Sequence, residues 1–289
     1  MPNHRITKTF TDQMGNKICL DKTPKCIISL VPSQTELLFD LGLTDEVVGI
    51  TKFCVHPEEM FRKKPRVGGT KKVNFDKIKE LQPDLIIGNK EENEKEQILE
   101  LMKHYPVWMS DIKTLDDAYQ MIISVGEIIG RRKKSEELVK KIKSEFEKLK
   151  QLTNNQPAYR TGRQQLTKSV AYFIWKNPYM CAGLDTFIDN MLSLCGFENV
   201  FKTHLQPFSK EEESIVRYPK ITVDDIKKAN PGLIFLSSEP YPFKEKHIQE
   251  FKSICPDADV RVVDGEMFSW YGSRLLHAPK YFSGLLKQL

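Results

Sequence analysis

Two segments in opposite halves of the chain run through the same steps: Ile78-Lys79-Glu80-Leu81-Gln82-Pro83-Asp84-Leu85-Ile86 and Ile226-Lys227-Lys228-Ala229-Asn230-Pro231-Gly232-Leu233-Ile234. In each, a helical pattern ends on a polar residue, proline forbids its continuation, and a short apolar run follows. Alone, such a step fits many α/β proteins. At the same relative place in two halves, it predicts two similar lobes.

The surrounding pattern agrees. Thr9 to Leu20 reads as a hairpin turning at Met14-Gly15-Asn16. Cys26 to Val31 reads as a strand buried on both faces. Pro32 ends it, and Ser33 with Glu36 has the spacing of a capping box for a helix over Gln34–Leu41 that stops at Gly42. Strands at Val47–Thr51, Leu85–Gly88 and Pro106–Met109 alternate with helices at Phe75–Leu81 and about Glu94–His104. The second half offers strands at Val170–Trp175, Leu233–Leu236 and Val260–Val263, and helices at Thr186–Cys195, Val223–Ala229 and about Lys244–Ile254. Alternation of this kind predicts mainly parallel sheets covered on both faces.

Between the halves, apolar residues from Leu115 to Leu149 recur mostly every three or four positions. Leu115-Asp116-Asp117 places acids where a helix dipole favours them. As one helix, about 38 residues would span roughly 55 Å; two helices meeting near Gly130 are the alternative. The predicted fold class is α/β, with two similar lobes joined by one long backbone helix. The predicted division is an N-terminal α/β lobe (1–113), a linking helix (114–152) and a C-terminal α/β lobe (153–289), with an exposed loop over Thr153–Ser169.

Composition narrows the function classes. Hydrophobic residues at 40% can fill a core. The net charge of +5 comes from 44 basic and 39 acidic residues interleaved along the chain, which argues against a nucleic-acid partner. No apolar run reaches the ~20 residues of a membrane span. The polar start lacks the apolar core of a secretory leader, so the chain is read either as cytoplasmic or as one whose leader has been removed. Six scattered cysteines, with no C-x-x-C pair, do not read as a disulfide framework or zinc ribbon.

The local wording resembles a known family. Ile27 to Leu37, Leu43 to Gly49, Leu81 to Ile86, Trp175 to Gly183 and Cys195 to Phe201 are similar to the helical-backbone (class III) substrate-binding proteins of ABC importers, above all the cobalamin-binding members. The resemblance implies a ligand held in a cleft between lobes whose hinging a stiff helix restrains. It also implies a monomer outside the cytoplasm, whose partners are a small molecule and the importer's membrane subunits. No cofactor is implied, since a corrinoid brings its own metal. Relatives dock through a glutamate on each lobe. Here Glu94 or Glu96 and Glu245 are the candidates, although the first-lobe counterpart aligns with Lys95.

In open α/β sheets, ligands sit beyond the carboxyl ends of the strands. That rule selects Pro32, Ser33, Phe53, His56, Gly69 and Asn89 in the first half. In the second it selects Trp175, Asn177, Tyr179, Phe268, Trp270, Tyr271 and Arg274. A flat macrocycle needs apolar faces and a few donors at its edge. Trp270, Tyr271, Tyr179 and Phe53 can supply faces, and Asn177, Ser269 and Arg274 donors. Where cobalamin-binding relatives carry aromatics on first-lobe loops, this chain has Gly69-Thr70 and Asn89. The rival ligand is a ferric siderophore, whose anionic groups would call on Lys52, Lys90, Lys176 and Arg274; haem is a further one.

His4, His56, His104, His204, His247 and His277 show no metal spacing, so no metal site is predicted. No phosphate loop, dinucleotide fingerprint, nucleophile elbow or H-E-x-x-H is present. The chain is therefore read as a binder with no catalytic residue; the alternative of another class is a cytoplasmic enzyme handling a corrinoid or metal cofactor.

Overall fold

The computed structural model describes residues 7–154, 168–202 and 216–289. The chain opens with β1 (Lys8–Thr11) and β2 (Lys17–Leu20), an antiparallel hairpin that turns at Gly15 with φ 85°. Asp12, nearly buried, accepts from Met14 N, Asn16 N and Asn16 Nδ2, so the turn is closed by one carboxylate.

Then come β3 (Ile27–Ser29), α1 (Pro32–Asp40), β4 (Val47–Ile50), α2 (Glu58–Lys63), α3 (Phe75–Leu81), β5 (Leu85–Asn89), α4 (Lys95–Met102) and β6 (Val107–Ser110). The four strands form a parallel sheet in the order β4-β3-β5-β6. Ile28, Leu30, Val67, Ile78, Ile86, Ile98 and Val107 form its core.

The capping box does not form. Helix α1 begins at Pro32, with Val31 at the cap position and no side-chain cap. Proline has no N–H to satisfy and its φ suits a first helical position, so the helix starts two residues earlier than a Ser33 cap allows. Glu36 is thereby released from the helix start.

The central run is two helices, α5 (Leu115–Ile128) and α6 (Arg132–Asn154), broken at Gly130 with φ 69°. Gly126 lets the break close, because a Cβ there would lie 2.2 Å from Ser135 Oγ. Helix α6 has 23 residues, about 35 Å of length.

The remaining elements are β7 (Lys168–Trp175), β8 (Tyr179–Cys181), α7 (Phe187–Leu194), β9 (Phe197–Asn199), β10 (Lys220–Ile221), α8 (Val223–Ala229), β11 (Leu233–Ser237), α9 (Ile248–Ile254), β12 (Asp259–Val263), α10 (Gly265–Ser269) and α11 (Ala278–Gln288). One-turn 3-10 segments occupy Glu245–His247 and Ser273–Leu276. Strands β9, β7, β11 and β12 are parallel neighbours in that order, and β8 and β10 add an antiparallel edge to β7. The parallel order repeats β4-β3-β5-β6: the first strand has its successor on one side and the next two on the other. Phe173, Ile226, Ile234, Leu236, Phe251 and Val260 centre the second core.

Two compact units result. One comprises Met1–Ile112, Asp116–Lys143 and Trp270–Leu276; the other comprises Lys113–Leu115, Ser144–Ser269 and His277–Leu289. Among the described residues no helix is long and apolar enough to cross a membrane. Most of the loop expected over Thr153–Ser169, with His4 and His204, lies outside the described residues.

Candidate functional site

In the first unit, the residues after β3, β4, β5 and β6 fall into two groups. One group is buried and holds the loops in place. Thr35 and Thr51 reach the Cys54 sulfur at 3.1 and 3.2 Å, and Thr35 meets Ser29 at 2.8 Å. Burial pushes the Cys54 thiol up, which keeps it protonated and unreactive. Gln34 donates to Ser110 Oγ at 2.7 Å, and Asn89 donates to the same oxygen at 3.0 Å.

Asn89 is held within its loop. Only 1% exposed, it gives its amide to Ser110 and its carbonyl to the backbone of Glu91 and Glu92. A buried amide satisfied on both sides fixes the loop. Ser33 is likewise buried within α1, and Pro32 is half-buried beside it.

The other group faces outward. Phe53 is 51% exposed, with the Lys52 ammonium 5.0 Å from its ring centre. Gly69 allows this placement: a Cβ there would come within 3.2 Å of Phe53 Cε2. His56 is half-buried and meets Trp270 edge-on at 5.8 Å.

Trp270 and Tyr271 belong to the segment that docks on α1. Gly272 approaches so closely that a Cβ would lie 2.9 Å from the Ser33 carbonyl oxygen. Arg274 stacks on Trp270 at 4.5 Å and grips Glu36 through Nε at 2.9 Å and Nη2 at 2.6 Å. Both aromatics are only 6% exposed, so neither offers a broad face. A large apolar ring on a docked segment stabilises most where it is covered.

In the second unit, Trp175 closes β7 at 40% exposure. Tyr241 stands edge-on to it at 5.7 Å, held by its N–H to the Ile174 carbonyl at 3.2 Å. The sequence reading missed Tyr241; its signal was position, two residues beyond the Ser237-Ser238-Glu239 strand end. Asn177 is exposed at φ 61° in the turn between β7 and β8, and Tyr179 follows it half-buried. Lys176 and the Tyr179 hydroxyl both bond Glu250 on α9. Burial and that carboxylate push the Tyr179 phenol well up, fixing it as a donor.

Phe268 follows β12 on α10. It is fully buried, with ring centres of Tyr172, Phe235 and Phe282 at 5.1, 6.2 and 4.7 Å. Position after a strand did not expose it, because α10 turns its side chain inward against β7 and β11. Nearby, Ser238, Glu239, Glu245, Asp264 and Glu266 line an open hollow of about 500 Å³ beyond the ends of β11 and β12. Glu94, Glu96 and Glu245 are exposed. Among the described residues, no three His, Cys, Asp or Glu side chains are grouped to hold a metal ion.

Exposed rings on strand-end loops make an arrangement suited to holding a molecule. A family model described as periplasmic binding protein matches residues 27–254. The chain belongs to the periplasmic binding protein family. It is similar to an uncharacterized ABC transporter substrate-binding lipoprotein of Bacillus subtilis, 29% identical over 76% of this chain and 70% of that one. A vitamin B12-binding protein of Pectobacterium carotovorum is 25% identical over 92% of this chain and 90% of its own. The solved periplasmic vitamin B12 binding protein BtuF of Vibrio cholerae covers 92% of this chain and 98% of its own, at TM-score 0.75 and 20% identity. That last likeness shows the fold. As a periplasmic binding protein of the ABC-transport type, the chain is a solute binder, not an enzyme.

Proposed function

We propose that this periplasmic binding protein captures a corrinoid, cobalamin or a close analogue, and needs no cofactor of its own. The observation that carries the ligand choice is charge compensation at the strand ends. Of the four cations an anionic siderophore would call on, Lys90, Lys176 and Arg274 are each held by a carboxylate: Asp111, Glu250 and Glu36. Lys52 lies over the Phe53 ring. A corrin periphery of neutral amides asks instead for exposed rings and neutral hydrogen-bonding groups. In the first unit Phe53 supplies a ring, on strand-end loops that also carry His56 and Gly69; in the second Trp175 supplies one, on a turn that also carries Asn177 and Tyr179. The vitamin B12-binding relative supports the same ligand class.

The protein acts as a monomer outside the cytoplasm, in the periplasm or at the cell surface, and delivers its ligand to importer membrane subunits. Exposed Glu94, Glu96 and Glu245 are the proposed docking residues, each meeting an arginine of those subunits. Co-elution tests the ligand assignment: after desalting, cyanocobalamin absorbance should travel with the protein at one per chain. Passage of cyanocobalamin to the small-molecule fraction, with retention of haemin or a ferric catecholate siderophore, would replace the ligand.

A further inference from the structure

We infer that Asp111, Glu250 and Glu36 form a charge filter that sets specificity: by pairing with Lys90, Lys176 and Arg274 on the strand-end loops, they weaken the receptor's hold on anionic chelates. The inference rests on the reading that these loops meet the ligand, and it assigns the carboxylates a role separate from contact with it.

The geometry is built in, not a chance meeting of surface side chains. Lys90 and Asp111 follow neighbouring strands β5 and β6, and the Lys90 N–H donates to the Ser110 carbonyl at 2.9 Å. The ladder itself therefore sets their side chains together, at 2.7 Å. Glu36 receives Arg274 in a two-pronged bond, with both side chains mostly covered. Glu250 is doubly engaged, by Lys176 and by the Tyr179 hydroxyl. Asp185 repeats the theme after β8, taking Lys113 at 2.6 Å and Arg217 at 3.4 Å.

A pair of opposite charges a few ångströms apart presents a dipole, whose field falls faster with distance than that of a lone cation. The hollow beyond β11 and β12 goes further, since Glu239, Glu245, Asp264 and Glu266 line it. Composition does not explain this. The chain as a whole carries a net +5.

The test uses the full chain and its D111N/E250Q double variant, in which amides keep the shape and hydrogen-bonding capacity of the lost carboxylates. Ferric citrate is the anionic probe, and circular dichroism and Tm establish folding. The wild-type chain should bind ferric citrate weakly. The double variant should bind it at least about tenfold more tightly, about 1.4 kcal/mol, with the gain shrinking between low and about 0.5 M salt. A folded double variant with unchanged ferric citrate affinity, or a gain indifferent to salt, overturns the inference. Should the double variant not fold, D111N alone carries the same test with a smaller gain. Titration of the wild-type chain with cyanocobalamin judges the corrinoid separately: a gain in ferric citrate binding without cobalamin binding removes that ligand and leaves the filter standing.

Discussion

Gln82 and Asn230 end equivalent helices in the same left-handed conformation, at φ 45° and φ 41°. Each is followed by proline and then by the third strand of its parallel sheet. An L side chain in that region crowds the carbonyl that follows, and only glycine, or asparagine in part, escapes the penalty.

Gln82→Gly should therefore stabilise the protein by about 0.5–1 kcal/mol, and Asn230→Gly by less, because asparagine already tolerates this backbone. Urea unfolding midpoints measure both. Destabilisation by Gln82→Gly would show that the side chain, not the backbone, stabilises this cap.

Gly272→Ala should cost about 1–3 kcal/mol, since the new Cβ must displace the Ser33 carbonyl 2.9 Å away. The same variant should alter tryptophan emission, as the segment lifts and Arg274 leaves the Trp270 ring. An unchanged spectrum and Tm would mean that the docked segment adapts freely.

Much of the architecture is legible in the sequence, for identifiable reasons. Buried parallel strands such as Ile27–Ser29 and Leu233–Ser237 are short apolar runs bounded by proline and polar turns, so they announce themselves. Helices α3 and α8 are read to the residue because Pro83 and Pro231 fix their ends. The short elements α2, β8, β9 and β10, and the C-terminal α10 and α11, escape the reading. Helix α11 carries Pro279 and Gly284, yet proline is harmless in a first turn and the glycine meets open space. The site is less legible. A strand-end rule locates loops but not side-chain directions, so Phe268, Trp270, Tyr271 and Asn89 were selected alongside Phe53 and Trp175. The three compensating carboxylates lie far in sequence from their cations, and nothing local reveals such pairs.

Glu250 gives the protein a pH dependence. Burial raises its carboxyl, but the hydrogen bonds from Lys176 and Tyr179 outweigh burial and hold it below the ordinary 4.5. The folded pKa is thus lower than the unfolded one, so the stabilisation is complete above that range and is lost as pH falls through the folded value. Glu250→Gln should be less stable than the parent at pH 7, with the gap closing in acid as pH falls through the lowered pKa of Glu250. Thermal melts across that range check the sign; a gap that widens in acid would contradict it.

The six cysteines are free thiols with different surroundings. Burial pushes Cys54, Cys181 and Cys195 up, whereas Cys19 is exposed on β2. A thiol reagent at pH 8 should label Cys19 first and reach those three only on unfolding. Peptide mapping after a short pulse reads this directly, and early labelling of Cys181 or Cys195 would contradict the packing described.

The central claim is that exposed rings on the strand-end loops hold a corrinoid. Calorimetric titration with cyanocobalamin, run on the parent chain, Phe53→Ala, Trp175→Ala and Trp270→Ala, tests it most directly. The account predicts saturable one-to-one binding at or below micromolar. Phe53→Ala and Trp175→Ala should each weaken it at least about tenfold, roughly 1.4 kcal/mol, and Trp270→Ala should lower Tm more than affinity. No heat with cyanocobalamin, alongside tight binding of a ferric siderophore by the unaltered chain, would contradict it.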